Sequence, residues 1–161
     1  MEEKNKIIEQ IAKEFLAHLD EKAEISLEED RENQAIKVKI KTDNPGALIG
    51  FHGKTLSAFQ LLLGLMVYRR LGEWQRIIVD VNNYRAEQTE RLKKIALNAA
   101  QRVKFSGQPV ILSPMTPFER RIIHLTLNDF AGVETVSQGE GDQRHIVVRP
   151  AKTGQLDEKN R

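Results

Sequence analysis

The sequence predicts an α+β chain of two small units in tandem, residues 1–82 and 83–150, followed by a polar tail at 151–161. Three observations predict it. Apolar positions in the first unit pass from helical spacing to strict alternation and back to helical spacing. Two glycines, Gly50 and Gly53, stand between two helical stretches. A second set of elements opens at Tyr84 and contains a strong helix start, Thr116-Pro117-Phe118-Glu119.

In the first unit, Ile7, Ile8, Ile11, Phe15 and Leu19 recur at helical spacing, which predicts an amphipathic helix over 1–19. Ile25 and Leu27 alternate with polar residues, Asp30-Arg31-Glu32-Asn33 supplies a turn, and Ile36, Val38 and Ile40 alternate with Lys37, Lys39 and Lys41. The second of these strands has one apolar face and one lysine face. Asp43 or Asn44 before Pro45 starts a short helix that runs into the glycine loop. A long apolar helix follows from Lys54 to about Leu71, closed by Gly72, and its run Leu61 to Val67 is expected to be core. Arg76 to Val81 reads as a buried strand, so the order is α-β-β-α-α-β.

In the second unit, a helix from Tyr84 to Phe105 carries Tyr84, Gln88, Leu92, Ile95, Ala99 and Val103 on one side and is stopped by Ser106-Gly107-Gln108-Pro109. Val110 to Leu112 is a strand. The capped helix is expected to run to about Phe130, and a hairpin joins Val133–Val136 to His145–Arg149 through Gly139-Glu140-Gly141-Asp142. At 100° per residue, Arg120, His124, Arg121 and Asn128 share an arc of roughly a quarter turn. Phe118, Ile122 and Leu125 border it on one side and Ile123, Leu127 and Phe130 on the other. Both flanks are expected to be held by packing, leaving a polar strip that presents cations to phosphate.

The loop Gly50-Phe51-His52-Gly53 has the chemistry of an anion site. Glycine at both ends opens φ values closed to other residues and removes Cβ atoms that would hold a ligand's backbone away. The N–H groups that start the next helix face an anion along its dipole. No acidic residue lies in the loop, and Lys54 adds a charge at its edge.

Together with the order of elements, Leu48-Ile49-Gly50-Phe51-His52-Gly53-Lys54-Thr55 resembles the type II KH domain, whose GxxG loop clamps the backbone of a short single-stranded stretch. The resemblance implies a three-stranded sheet with helices on one face. It places nucleic acid at Ile49, Gly50, Phe51, His52, Gly53 and Lys54, with Lys39 nearby, in a groove between the loop-flanking helices and the sheet edge. Phe51 stands where many such loops carry a basic residue, so either stacking replaces a charge or phosphate is held more weakly. The Arg120-x-x-x-His124 spacing is similar to that of the R-three-H domain, a small module of helices against a three-stranded sheet that binds single-stranded nucleic acid. It implies a site at Arg120, His124, Arg121 and Asn128.

A type II KH domain followed by an R-three-H domain resembles the Jag (KhpB-type) family of bacterial cytoplasmic RNA-binding proteins. Asn82-Asn83-Tyr84-Arg85, Leu112-Ser113-Pro114-Met115 and Val133-Glu134-Thr135-Val136-Ser137 carry this likeness as well. It implies a post-transcriptional regulator or RNA chaperone acting on single-stranded RNA, with single-stranded DNA as a further ligand. A small KH-domain partner or self-association is implied too, as are roles in cell elongation and division. The alternative function is a protein-interaction adaptor whose KH surface docks a protein. Many members carry another small domain before the KH region; here Met1 opens almost at once into the KH helix, and that domain is expected to be missing.

Composition bounds the rest. No cysteine is present, so neither disulfides nor thiolate chemistry is available. There is no signal-like opening, and the longest apolar run is too short for a bilayer, which predicts a cytoplasmic protein without membrane insertion. His18, His52, His124 and His145 include no pair at metal-ligand spacing, and no Walker or dinucleotide pattern occurs, so neither a metal nor another cofactor is expected. A base at His124 would lack an orienting carboxylate, so no catalytic residue is assigned and the chain is read as a non-enzyme. Residues 1–34 hold five basic against eleven acidic residues, whereas 36–104 hold thirteen against five. Phosphate neutralisation belongs to that basic centre.

Overall fold

A computed structural model describes residues 2–151, and the polar tail lies outside the described residues except for Ala151. The chain divides into two compact units, Met1–Arg85 and Ala86–Arg161.

The first unit runs α1 (Glu2–His18), β1 (Ala23–Asp30), β2 (Ala35–Thr42), α2 (Pro45–Ile49), a 3-10 turn at Phe51–Gly53, α3 (Lys54–Leu71) and β3 (Ile77–Val81). Its sheet has the order β1-β2-β3, with β1 antiparallel and β3 parallel to β2. The hairpin register follows from the turn: Asp30 accepts from both the backbone N–H and the side-chain amide of Asn33, at 3.0 and 2.9 Å. Val38, Ile40, Val79 and Val81 point to one face and bury against Ile8, Ala12 and Leu16 of α1 and Leu56, Phe59, Leu63 and Val67 of α3. Leu19, expected on the apolar stripe, lies past the end of α1 and is exposed; Leu16 and Ala12 fill that place.

The run Leu61 to Val67 is not all core. Leu63, Gly64 and Val67 are buried, but Leu61, Leu62, Leu65, Met66 and Tyr68 form an exposed apolar face on α3. A helix apolar all round shows no periodicity to reveal which side has a partner. Gly72, at φ +73°, ends α3 by donating to the Tyr68 carbonyl.

The second unit comprises most of α4 (Tyr84–Ser106), then β4 (Val110–Ile111), α5 (Pro117–Leu127), β5 (Val133–Gln138) and β6 (His145–Pro150), in a sheet of order β4-β6-β5. Leu92, Ala96, Ala99, Ala100 and Val103 of α4 pack with Ile123 and Leu127 of α5 against Val133, Ile146 and Val148. Two members of the expected α4 stripe depart from it. Tyr84 packs with the first core, and Ile95 is exposed while Ala96 takes the buried position. The capping box of α5 forms as the sequence requires: Glu119 N donates to Thr116 Oγ1, and Thr116 N donates to Glu119 Oε2 at 2.7 Å. The helix ends at Leu127, three residues short of Phe130, which packs at its end under the Lys104 ammonium.

Candidate nucleic-acid interface

The glycine loop is built around two left-handed residues at its end. His52 sits at φ 51°, ψ 30° and Gly53 at φ 75°, which turns the chain from α2 into α3 within the four residues Gly50 to Gly53. Gly50 has φ 68°, ψ −175°, and a Cβ there would lie 2.0 Å from Thr55 Oγ1 and 2.7 Å from Thr55 Cβ. Only glycine fits both that conformation and that space. Gly53 is buried, with the Tyr84 ring 3.4 Å from where its Cβ would be. The buried glycine and ring fix the base of the loop, and its tip projects: Phe51 is 75% exposed and stands edge-on to the exposed His52 ring, centroids 4.3 Å apart.

At the start of α3 no side chain caps the helix and no acidic residue occupies the first turn. Lys54 N donates to the Phe51 carbonyl of the preceding turn, and the N–H groups that follow it lie beside Lys54 and His52 with no acid of the helix's own first turn to neutralise them. From Lys54 the same side of α3 continues through Ser57, Gln60, Leu61 and Gly64. With Trp74, Gln75, Arg76, Ile77 and Ile78 these last four line a groove of about 420 Å³ between the helix and the edge strand β3. Trp74, 62% exposed, forms part of its wall, its ring 3.9 Å from the Cβ position of Gly64.

Sequence reasoning missed how this strand edge is closed. Val79 N donates to Gln60 Oε1 at 3.0 Å, Arg85 Nε donates to the Val79 carbonyl at 2.9 Å, and Arg85 Nη2 donates to the same Gln60 oxygen. Both outward-facing backbone groups of Val79 are thus taken by the protein's own side chains. These partners are 6 to 25 residues apart, and no local pattern marks them.

Lys39 is not beside the loop. Val38 and Ile40 face the helices that carry the loop, so Lys37, Lys39 and Lys41 project from the opposite face of the sheet. There the Lys39 ammonium lies 2.7 Å from the Glu28 carboxylate, and Lys41 lies 3.8 Å from Glu24. The hydrogen bond and charge of Lys39 hold the Glu28 carboxyl below its ordinary value, with desolvation opposing weakly and Lys37 adding to the lowering. The lysine strand of the basic centre is answered by the acidic strand next to it.

On α5, Arg120 is half-buried and its Nη1 donates to the Met115 carbonyl at 2.7 Å. His124 is exposed; its Nδ1 is 2.6 Å from the Thr135 hydroxyl of β5, which orients the ring and leaves Nε2 to meet a ligand. Arg121 is exposed at the far edge of the arc, beyond His124 and Asn128. Asn128 donates to Asp129 at 3.0 Å, so a carboxylate stands just past the carboxyl end of the strip. The flanks differ from expectation. Ile123 and Leu127 are buried, whereas Phe118 and Leu125 are 52% and 57% exposed.

Among the described residues, no group of three His, Cys, Asp or Glu side chains converges to hold a metal, and no helix is long and apolar enough to cross a membrane.

Comparison with known proteins agrees with this architecture. Residues 5–81 match the KH domain of KhpA/KhpB, and residues 90–150 match the R-three-H domain. Both are non-enzymatic binding domains. A protein of Clostridium symbiosum named RNA-binding protein KhpB is 38% identical over 125 residues, covering 78% of this chain and 56% of that protein. The KhpB proteins of Streptococcus pneumoniae and Bacillus subtilis are 35% and 33% identical over 151 and 129 residues, covering 91% and 79% of this chain and 46% and 61% of their own lengths. The chain spans about half the length of the curated relatives it matches. With the two domains in this order and this identity along most of its length, the chain belongs to the Jag, or KhpB, family.

Proposed function

We propose that this chain binds single-stranded RNA, holding the phosphate backbone at the Gly50–Gly53 loop and the start of α3, with a second contact at Arg120, Arg121 and His124 of α5. The observation that carries the reading is the loop itself. It joins an uncapped helix start without acids to the exposed basic side chains His52 and Lys54 and to an exposed aromatic ring at Phe51. Phosphate neutralisation supplies affinity, and the exposed rings of Phe51 in the loop and Trp74 in the groove wall offer faces on which bases stack. Ile49 and Gly50 shape the loop, Asn128 is a lesser contact because Asp129 holds it, and Lys39 has no part because it faces away and pairs with Glu28. The names of the relatives support RNA as the ligand. Single-stranded DNA shares the backbone chemistry and is expected to compete, and we read the chain's role as that of a cytoplasmic post-transcriptional regulator or RNA chaperone, a reading that its likeness to the KhpB proteins supports.

A second reading is favoured by one observation. The exposed apolar face of α3, Leu61, Leu62, Leu65, Met66 and Tyr68, suits a protein partner, either a small KH-domain protein or a second copy of this chain. Such docking is compatible with RNA at the loop and would make the chain an adaptor as well.

The test is a titration of labelled random single-stranded RNA, the same length of DNA, and duplex RNA at two salt concentrations. Binding that prefers the single strands and weakens with salt supports the reading. No binding to any of them at tens of micromolar protein contradicts it and leaves the adaptor.

A further inference from the structure

Viewed down its axis at 100° per residue, α5 has three sectors. Glu119, Ile123 and Leu127 are buried. Next come Arg120, His124, Asn128 and Arg121, and beyond Arg121 the surface turns apolar with Leu125 and Phe118, bounded by the half-buried Ile122. The cationic and apolar sectors adjoin: Arg121 neighbours Phe118 three residues before it and Leu125 four residues after it. Glu119 is the one acid between Pro117 and Leu127, and it faces the core with its oxygens on Thr116 N and Gln88 Nε2. The exposed face of α5 thus presents positive charge beside an uncovered aromatic ring, with no carboxylate between them.

We infer that Phe118 and Leu125 form a base-stacking platform: a single-stranded nucleic acid that sets its phosphates on Arg120, Arg121 and His124 lays a base on the Phe118 ring, with Leu125 covering its edge. This deepens the proposed RNA-binding reading and rests on it. Charge chooses the occupant. A nucleic acid strand carries anionic and flat apolar groups side by side at a spacing fixed by its backbone, which matches cations and an aromatic ring one helical turn apart. An apolar protein surface would leave Arg121 at the margin without a counter-charge.

Stacking contacts and phosphate contacts respond differently to salt, because a stacked base releases no counterion. The full chain carrying Phe118→Ala with Leu125→Ala is titrated with labelled random single-stranded RNA and with an abasic oligonucleotide of equal length, across a salt series. The expected result is about a tenfold or greater loss of affinity for the base-bearing strand. The slope of log affinity against log salt stays unchanged, and so does binding to the abasic strand. Phe118→Trp made together with Trp74→Phe keeps or raises affinity relative to Trp74→Phe alone, and the fluorescence of its single tryptophan is quenched by the base-bearing strand and not by the abasic one. Both side chains are exposed, so the double variant keeps its fold, checked by circular dichroism. Wild-type binding that the double variant matches on both strands overturns the platform and leaves the RNA-binding reading intact. Loss of self-association in the variant with RNA affinity unchanged also overturns it and assigns the stripe to protein docking. A wild-type protein that binds neither strand refutes the reading beneath.

Discussion

Gly46 in the first turn of α2 and Gly50 just past its end lie four residues apart, and the structure assigns opposite signs to the same substitution at the two positions. At Gly46 a Cβ meets nothing within 4 Å, so Gly46→Ala reduces only the freedom of the unfolded chain and is expected to stabilise by up to about 1 kcal/mol. At Gly50 the added Cβ must share space with Thr55 Oγ1 at 2.0 Å and Thr55 Cβ at 2.7 Å. Rotating the threonine relieves the first contact but not the second, so backbone must move. A side chain at φ 68°, ψ −175° costs about 1–3 kcal/mol, and forced displacement of a packed neighbour costs about 1–3 kcal/mol more. Gly50→Ala is therefore expected to destabilise the first unit by about 2–6 kcal/mol, a large share of the roughly 5–15 kcal/mol a domain possesses. Trp74, the chain's one tryptophan, stands between α3 and β3 and reports this unit in urea unfolding. With a slope of about 1–3 kcal/mol per molar, the Gly50→Ala midpoint should fall by roughly 1 M or more while that of Gly46→Ala holds or rises. Equal midpoints for Gly50→Ala and wild type, or equal losses at both positions, would refute the steric account of the loop.

Other consequences can be checked separately. Glu119→Ala removes the acceptor for Thr116 N and Gln88 Nε2 at a buried position, and a loss of about 2–4 kcal/mol is expected in thermal or denaturant unfolding of the second unit. Lys39→Ala should raise the Glu28 carboxyl toward its ordinary value, measured by carbon-detected NMR titration. Because the folded-state value is depressed, what the pair contributes is present above the ordinary glutamate range and lost as pH falls through the folded value. The same substitution should leave RNA affinity close to wild type. Arg120→Ala should lower the salt slope of RNA binding by about one phosphate contact, roughly 0.7 to 0.9, and an unaltered slope would limit Arg120 to tying α5 to Met115.

What the sequence makes legible here is whatever is encoded within a few residues. Alternation in Ile36, Val38 and Ile40 gives β2 and its buried face, Gly72 ends α3 at the residue expected, and Thr116 with Glu119 begins α5 with both capping bonds formed. Less legible is anything decided by a partner distant in sequence. The apolar run of α3 contains no sign that only Leu63, Gly64 and Val67 are covered, because hydrophobicity states a preference for burial and not which neighbour supplies it. Phe118 and Leu125 look like flanks held by packing until the helix is docked through Ile123 and Leu127. Lys39 reads as a free cation until the register of the hairpin brings Glu28 within 2.7 Å. The Gln60–Arg85 closure of the Val79 edge joins positions 25 apart and depends on the parallel placement of β3.

The central claim, that phosphate is held at the Gly50–Gly53 loop, is tested most directly by Phe51→Asp with His52→Asp. Both side chains are exposed, and aspartate tolerates the left-handed conformation at position 52, so the fold is retained while two negative charges face the start of α3. Affinity for labelled single-stranded RNA should fall sharply, and more at low salt than at high salt because the repulsion is screened. Unchanged affinity with an intact circular dichroism spectrum would contradict the account and move the binding site away from the loop.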